Sequence, residues 1–229
     1  MARASELSII IPARNEQQTI AGVLRSLARQ DQISDCQVLV IDGGSTDGTA
    51  DIVAAFPFVE IIHCERGLAR QMNRGAELAD GKALWFLHAD VTLPNSATIG
   101  HILHTLTDPA VVGGACRFQI RGHDLYFRFI NSLVNMRSRW LGRAYGDQGI
   151  FARREIFHKT GGFRDVPCTD LDMFLRLREH GEVRIISPIV ATSARTWQRH
   201  GKIKTTAWHI KEWLAYEWTR KKNQPNSPI

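Results

Sequence analysis

Three features that would narrow the function are missing from this 229-residue sequence. No stretch approaches the roughly 20 apolar residues that span a bilayer, and the apolar run over residues 8–12 is too short for a signal-peptide core. The four cysteines are far apart, so they lack zinc-ribbon spacing and are expected to be free thiols in a reducing compartment. No Gly-x-Gly-x-x-Gly turn follows the first apolar run, which argues against a dinucleotide dehydrogenase. We therefore expect a cytoplasmic protein, and peripheral contact with the inner face of a membrane stays open.

Positive charge is in modest excess, with 29 Lys and Arg against 23 Asp and Glu and a net charge of +6. This excess favours an anionic partner, such as nucleotide phosphates, a lipid phosphate or an acidic membrane surface. No zinc-finger or RNP-type motif accompanies the charge, so we expect no nucleic acid partner. The hydrophobic fraction of 44% is ordinary for one globular domain of this length.

Apolar runs and helical repeats alternate in the first half of the chain. The runs at 7–11, 37–41, 59–62 and 83–87 predict buried strands, and helices are predicted after residue 20, over 46–55 and over 68–78. The alternation indicates an α/β fold with a mostly parallel central sheet and helices on both faces. Ligands bind such sheets beyond the carboxyl ends of the strands, where polar clusters stand at residues 13–16, 42–47 and 88–90.

The second half is less regular. Strands are predicted over 111–120 and 149–152, helices over 125–141, 170–179 and 204–220, and a polar turn over 146–148. The helix over 125–141 is amphipathic, with Phe129, Leu133, Met136 and Trp140 on one face.

Three motifs follow successive predicted strands: Pro12-Ala-Arg-Asn-Glu16, Asp42-Gly-Gly-Ser-Thr-Asp-Gly-Thr49 and Leu87-His-Ala-Asp90. Their order resembles the family 2 glycosyltransferases, which have the GT-A fold, and the resemblance covers about residues 5–200. Four segments resemble a small bacterial branch associated with arsenosugar-type biosynthesis; they are Arg70-Gln-Met-Asn73, His88-Ala-Asp90, Gly146-Asp-Gln-Gly149 and Thr192-Ser-Ala-Arg195. The resemblance implies an inverting transfer of sugar from a UDP- or GDP-sugar to a hydroxyl acceptor. Its donor-binding residues would be Pro12, Ala13, Arg14, Glu16, Asp42, Arg70, Asn73, His88, Ala89 and Asp90.

The carboxylates at the first two strand ends suit this donor. Glu16 and Asp42 can accept hydrogen bonds from a ribose hydroxyl or a pyrimidine N–H. The competing interpretation of this region is helix capping, by Asn15 and Asp47.

Asp90 is the candidate metal ligand, because Mg²⁺ and Mn²⁺ take one or two carboxylates together with substrate phosphates. The wider family commonly has two aspartates in this motif, and here the first is His88. We expect one protein carboxylate to share a Mg or Mn ion with the diphosphate. Three roles stay open for His88: a metal ligand, a hydrogen-bond donor to phosphate, or a histidine packed at the end of the strand.

The acceptor side offers two candidate bases. Asp170 matches the catalytic aspartate of a family Glu-Asp pair, in which Thr169 replaces the glutamate, and Asp147 competes with it. The structural alternative is a capping box formed by Thr169 and Asp172. Asp147, Gln148 and Arg195 are expected to contact acceptor or donor.

We expect a single domain over residues 1–222, made of a nucleotide-sugar-binding half (1–95), an acceptor half (96–200) and a C-terminal helix (201–222), with a flexible tail over 223–229. Two alternative functions stay open, a polyprenyl-phosphate glycosyltransferase and a non-catalytic nucleotide-sugar-binding protein.

The C-terminal helix has two interpretations. Its tryptophans alternate with basic residues, a pattern that suits a membrane surface; the residues are Trp208, Trp213, Trp218, Lys204, Lys211 and Arg220. The favoured alternative is that Ile203, Ala207, Ile210 and Leu214 pack on the domain.

Overall fold

The computed structural model describes residues 5–122 and 124–223, and side chains up to Trp218. Its strands are β1 Leu7–Ala13, β2 Cys36–Asp42, β3 Glu60–His63, β4 Ala83–Phe86, β5 Val91–Thr92, β6 Val111–Ile120, β7 Ile150–Arg153 and β8 Glu182–Thr192. Its α-helices are α1 Ile20–Leu27, α2 Thr49–Ala54, α3 Leu68–Leu78, α4 Thr98–Thr105, α5 Leu125–Leu141, α6 Arg154–Lys159, α7 Thr169–Arg178, α8 Arg195–His200 and α9 Lys202–Asn223. Short 3₁₀ helices cover Ile33–Asp35 and Gly146–Gln148.

All eight strands form one sheet in the order β3-β2-β1-β4-β7-β6-β8-β5. The pairings within β3-β2-β1-β4 are parallel, as is β6 with β8, whereas β7 runs antiparallel to both of its neighbours and β5 runs antiparallel to β8. The first half therefore has the predicted parallel arrangement. The carboxyl ends of β1, β2 and β4 meet at one edge, which brings the three polar clusters to the same region.

Helices cover both faces of the sheet, as predicted. One core lies between the sheet and helices α1, α2 and α4 and contains Leu24, Val53 and Ile102. The second lies beneath α3, α6 and α7 and contains Met72 and Phe174. Strand β1 contributes to both cores because successive side chains of a strand point to opposite faces.

Several elements differ from the sequence prediction. Helix α2 begins at Thr49 and not at Thr46, because the preceding residues form a turn in which the Ser45 amide donates to Asp42. Strands β5 and β8 and helices α4, α6 and α8 were not predicted. Strand β8 is the longest in the sheet at 11 residues, and its alternation is interrupted by Pro188, which weakened the signal. Helix α9 extends through Asn223, and the rest of the predicted tail lies outside the described residues.

The favoured packing of the C-terminal helix was wrong. Ile203 is 79% exposed, Ile210 50% and Leu214 53%, and Ala207 is also exposed. The helix instead turns Thr205 and Tyr216 inward. Among the described helices, none is both long enough and apolar enough to cross a bilayer.

Candidate active site

A cleft of about 370 Å³ opens at the carboxyl edge of the parallel strands. It is lined by the ends of β1 and β4 and the start of α3, namely Pro12, Ala13, Arg14, Glu16, Arg66, Gly67, Leu68, Gln71, His88, Ala89 and Asp90. Seven of the ten predicted donor-binding residues are in this lining. Asp42, Arg70 and Asn73 are not.

The loop after β1 is fixed to the turn after β2. Asn15 adopts a left-handed conformation with φ of 54°, which asparagine tolerates better than most residues. Its backbone amide donates to Ser45 Oγ at 3.0 Å, and its side-chain oxygen accepts from the Thr46 amide at 2.8 Å. Asn15 therefore joins two loops and does not cap α1. Arg14 lies exposed at the cleft.

Glu16 and Arg195 contact each other across the chain. Glu16 Oε2 accepts from Arg195 Nη2 at 3.0 Å and from the Thr19 hydroxyl at 2.6 Å. Glu16 was predicted to bind the donor, and Arg195 was predicted to contact acceptor or donor. The ion pair places Arg195, at the start of α8, beside the cleft.

Asp42 is only 2% exposed and is held by protein groups. It accepts from the Ser45 amide at 3.1 Å and lies 3.2 Å from His63 Nδ1. The buried carboxylate thus organises the turn after β2, whose Asp47 accepts from the Thr49 amide at the start of α2. Asp42 is not in the lining of the cleft, and its predicted contact with the donor stays a prediction.

Gln71 is a cleft residue that sequence reasoning missed. Its Nε2 donates to the carbonyls of Ala13 at 3.0 Å and Ile41 at 2.7 Å, which ties the ends of β1 and β2 together. Gln71 lies between the motif residues Arg70 and Asn73 in the sequence, and this position could have identified it as a site residue.

Those two neighbours point elsewhere. Arg70 pairs with Glu65 on the surface. Asn73 exchanges two hydrogen bonds with the backbone of Phe163, at 2.8 and 2.9 Å. Arg66, for which no role was predicted, lines the cleft instead.

Asp90 and His88 follow β4 at the floor of the cleft. Among the described residues, the Asp90 carboxylate has no hydrogen-bond partner, and no group of three or more His, Cys, Asp or Glu side chains converges into a metal site. One free carboxylate facing a cleft of this kind fits a Mg²⁺ or Mn²⁺ ion that takes its other ligands from a diphosphate and water.

Behind His88 lie the two candidate bases. His88 Nε2 is 3.7 Å from Asp170 Oδ2, and both His88 Nε2 and Asp170 Oδ1 are buried without a hydrogen-bond partner in the described structure. Gly146 packs against both side chains and leaves no room for a Cβ atom. Buried polar groups without partners are unusual, which marks this junction as a candidate functional site.

Burial raises the pKa of both carboxyls. The pKa of Asp170 is raised by burial, opposed by His88 and the nearby Gly146 amide. The pKa of Asp147 is raised to about 6, mainly by burial, while His88 and Arg137 oppose the rise and Asp170 and Asp90 add to it. The two aspartates therefore belong to one electrostatic cluster with the end of β4.

Polar side chains near Asp147 and Asp170 in the sequence bond to other protein groups. Gln148 has no exposed surface; its amide donates to the Cys116 carbonyl at 3.1 Å and accepts from Ser138 at 3.0 Å. Its side-chain amide is thus bonded to protein groups, and its predicted contact with acceptor or donor stays a prediction. The capping box at α7 is also absent, because Cys168 is the N-cap without a side-chain bond and Asp172 pairs with Arg176 at 2.8 Å.

The fold and the cleft define a GT-A-type α/β protein. A mannosyltransferase from Pyrobaculum calidifontis, solved in complex with GDP-Man and Mn²⁺, superposes with a TM-score of 0.66 and 25% identity, over 83% of this chain and 57% of that one. Staphylococcus aureus TarS in complex with UDP gives 0.65 at 17% identity, over 82% and 60% of the chains, which supports the fold alone.

The chain belongs to glycosyl transferase family 2, whose profile matches residues 8–165. A PGL/p-HBAD biosynthesis glycosyltransferase of Mycobacterium bovis is 40% identical over 170 residues, which are 70% of this chain and 61% of the relative. A probable glycosyltransferase of Bacillus subtilis, YdaM, is 25% identical over 91% of this chain and 54% of its own length. The chain thus spans somewhat more than half the length of these relatives. The narrower arsenosugar assignment stays a prediction.

Proposed function

We propose that this protein transfers a glycosyl group from a UDP- or GDP-sugar to a hydroxyl acceptor, with inversion at the anomeric carbon. The observation that carries the proposal is the junction at His88. On one side of this residue lies the cleft, whose lining includes Asp90, and on the other lies the carboxyl of Asp170, 3.7 Å from His88 Nε2. A donor in the cleft would present its anomeric carbon toward this junction.

The cleft has the groups that a diphosphate requires. Arg14 and Arg66 are exposed at its rim. Gly67 precedes α3, and the free N–H groups of a helix N-terminus favour an anion. Arg195 can exchange its partner Glu16 for a phosphate oxygen, since a partly exposed ion pair of this kind contributes little by itself. These contacts would bind and orient the leaving group.

Asp90 would hold the divalent cation together with the diphosphate. The bound cation would supply neutralisation of the charge that develops on the leaving diphosphate.

Asp170 would act as the base. Its carboxylate accepts the proton of the acceptor hydroxyl while the new C–O bond forms and the bond to the diphosphate oxygen breaks. The first turn of α7 and the adjacent Gly146 hold the carboxylate in place. The raised pKa makes the Asp170 carboxylate a better proton acceptor. Because only the ionised form is active, we expect kcat to fall as the pH is lowered, and the fall should begin at a higher pH than the pKa of an ordinary carboxyl would give.

A ligand screen followed by turnover tests the proposal. Nucleotide sugars are first ranked by thermal shift with and without Mn²⁺, because a ligand of the native state raises its apparent stability. Nucleoside diphosphate release is then measured with the best donor. Asp170→Asn should lose about 10²–10⁴-fold in kcat and keep the donor-induced thermal shift, whereas Asp147→Asn should mainly raise the acceptor KM.

The result can fail in separable ways. The reverse pattern for the two variants would make Asp147 the base. Donor binding without turnover in the wild type, with any hydroxyl acceptor, would favour a non-catalytic nucleotide-sugar-binding protein. Product that extracts into organic solvent and carries a phosphate-linked sugar would favour a polyprenyl-phosphate acceptor.

A further inference from the structure

We propose that the outward faces of helices α5 and α9 together form a docking surface for an anionic lipid bilayer. This inference does not depend on the proposed transfer reaction, because binding to lipid is measurable without substrates.

The apolar face predicted for the amphipathic helix α5 points away from the protein. Leu125 is 78% exposed, Phe129 61%, Met136 48% and Trp140 79%. An exposed apolar group of this size is uncommon on a monomer and marks an interaction surface.

The orientation of α5 is set by specific contacts. On its inner side, Asn131 accepts from the Ile120 amide at 2.9 Å and Asn135 accepts from the Phe118 amide at 2.8 Å, both on β6. Phe127 is buried beside them. The apolar face therefore cannot turn inward without breaking bonds to the sheet.

Helix α9 repeats the arrangement. Its apolar side chains Ile203, Trp208 and Trp218 are 79%, 54% and 69% exposed. Its inner side is anchored by Thr205 and Tyr216, both buried.

The two helices lie side by side and run in the same direction. At their beginnings, the Tyr126 hydroxyl lies 2.7 Å from Thr206 Oγ1. Farther along both helices, Arg143, just beyond the end of α5, pairs with Glu217 in the second half of α9 at 2.6 Å. The exposed apolar side chains of both helices thus belong to one region of the molecule.

Charge distinguishes a bilayer from other occupants of this region. Helix α5 has no acidic residue, and Arg128 and Arg139 are exposed on it. On α9, Lys204 and Lys211 are exposed, whereas the acidic residues Glu212 and Glu217 are half-buried. Among the side chains of α9 that the structure describes, Lys202 is also exposed and pairs with Asp124.

The exposed side chains of the two helices are thus mostly apolar or basic, whereas the carboxylates are half-buried. This composition is typical of helices that lie in the interface of an anionic membrane. A second copy of the same surface would bring like charges together, which disfavours self-association through it. The surface also borders the acceptor side, since Tyr216 of α9 donates to Asp172 of α7 at 3.3 Å.

Flotation of the full chain with vesicles tests the proposal. The wild type should float with vesicles of phosphatidylglycerol mixed into phosphatidylcholine, and much less with phosphatidylcholine alone. Trp140→Ser and Trp208→Ser should each weaken binding by about tenfold, because each removes a large apolar contact. Lys204→Gln and Lys211→Gln should each weaken it by about fivefold at low salt.

Two matched controls keep the test specific. Leu78→Ser removes an exposed apolar side chain at the end of α3, and Lys159→Gln removes an exposed charge on α6; both should bind as the wild type does. Circular dichroism and thermal unfolding check that each variant is folded.

Three outcomes would overturn the inference. The first is a wild type that stays with the soluble fraction at low salt. The second is equal loss of binding in the controls. The third is a stable dimer in sedimentation equilibrium that dissociates in Trp140→Ser, which would assign the surface to a second copy.

Discussion

Gly146→Ala is the sharpest test of the His88–Asp170 junction. A Cβ atom at position 146 would lie 2.5 Å from His88 Nε2 and in similarly close contact with Asp170 Oδ2. Carbon atoms pack at about 3.5–4.0 Å from other heavy atoms, so each of the two side chains would have to move away from position 146 by about 1 Å. The glycine has no left-handed backbone, so the substitution acts through volume alone.

We expect this displacement to reduce kcat and to leave donor binding close to normal. A misplacement of about 1 Å in a catalytic geometry costs about 10²-fold in rate, which is about 2.7 kcal/mol of transition-state stabilisation. The assay is nucleoside diphosphate release under saturating donor, with the donor-induced thermal shift measured in parallel.

Gly22→Ala is the matched control. Gly22 lies within α1, and its new Cβ would meet only Thr92 Cγ2 at 3.7 Å, an ordinary contact. It should leave kcat unchanged and raise stability by about 0.5–1 kcal/mol, since alanine is the better helix former. If Gly146→Ala keeps its kcat within about twofold of the wild type, then the packing of His88 against Asp170 is not needed for turnover.

Three further expectations concern single side chains. Asp147→Asn should stabilise the protein at neutral pH by up to about 3 kcal/mol, because a carboxyl whose folded pKa is raised to about 6 is destabilising once ionised. The gain should vanish near about pH 4, where the folded carboxyl is protonated; urea unfolding at both pH values measures it, and equal stability at neutral pH would contradict the burial argument. Asp90→Ala should abolish most turnover and most Mn²⁺ dependence with the unfolding transition intact; activity that persists unchanged in excess chelator speaks against Asp90 as the ligand. Arg195→Ala should change the unfolding free energy by less than about 1 kcal/mol, since its pair with Glu16 is partly exposed, yet raise the donor KM; an unchanged KM in steady-state kinetics would assign Arg195 to structure alone.

The sequence by itself determined the edge at which the site would form. Short apolar runs alternating with helical repeats require parallel strands, and parallel strands bring their carboxyl ends together. For this reason the loop after β1 and the His88–Asp90 segment could be placed beside one another before any contact was known. The glycosyl transferase family and the α/β class followed from the same motifs.

Tertiary structure decided which motif residues face the cleft. Asn73, Gln148 and Asp42 carry the same polar groups whether they bind a ligand or a neighbouring backbone amide, and here they bind the protein. Gln71 and Arg66 became cleft residues only through the direction of α3 and the loop before it. A motif specifies hydrogen-bonding capacity, and only packing specifies the partner.

Tertiary structure also decided the direction of the amphipathic helices. Helical periodicity puts Phe129 and Trp140 on one face of α5, but it does not say which way that face points. The expectation that Ile203 and Leu214 would pack on the domain followed the general preference of apolar groups for burial, and it was wrong.

On α5 the inward positions include Asn131 and Asn135, which bond to β6, together with the buried Phe127. On α9 they include Thr205 and Tyr216, so the exposed apolar side chains of both helices face solvent. Hydrophobicity is a local property of each helix, whereas its orientation depends on contacts with residues far away in the sequence.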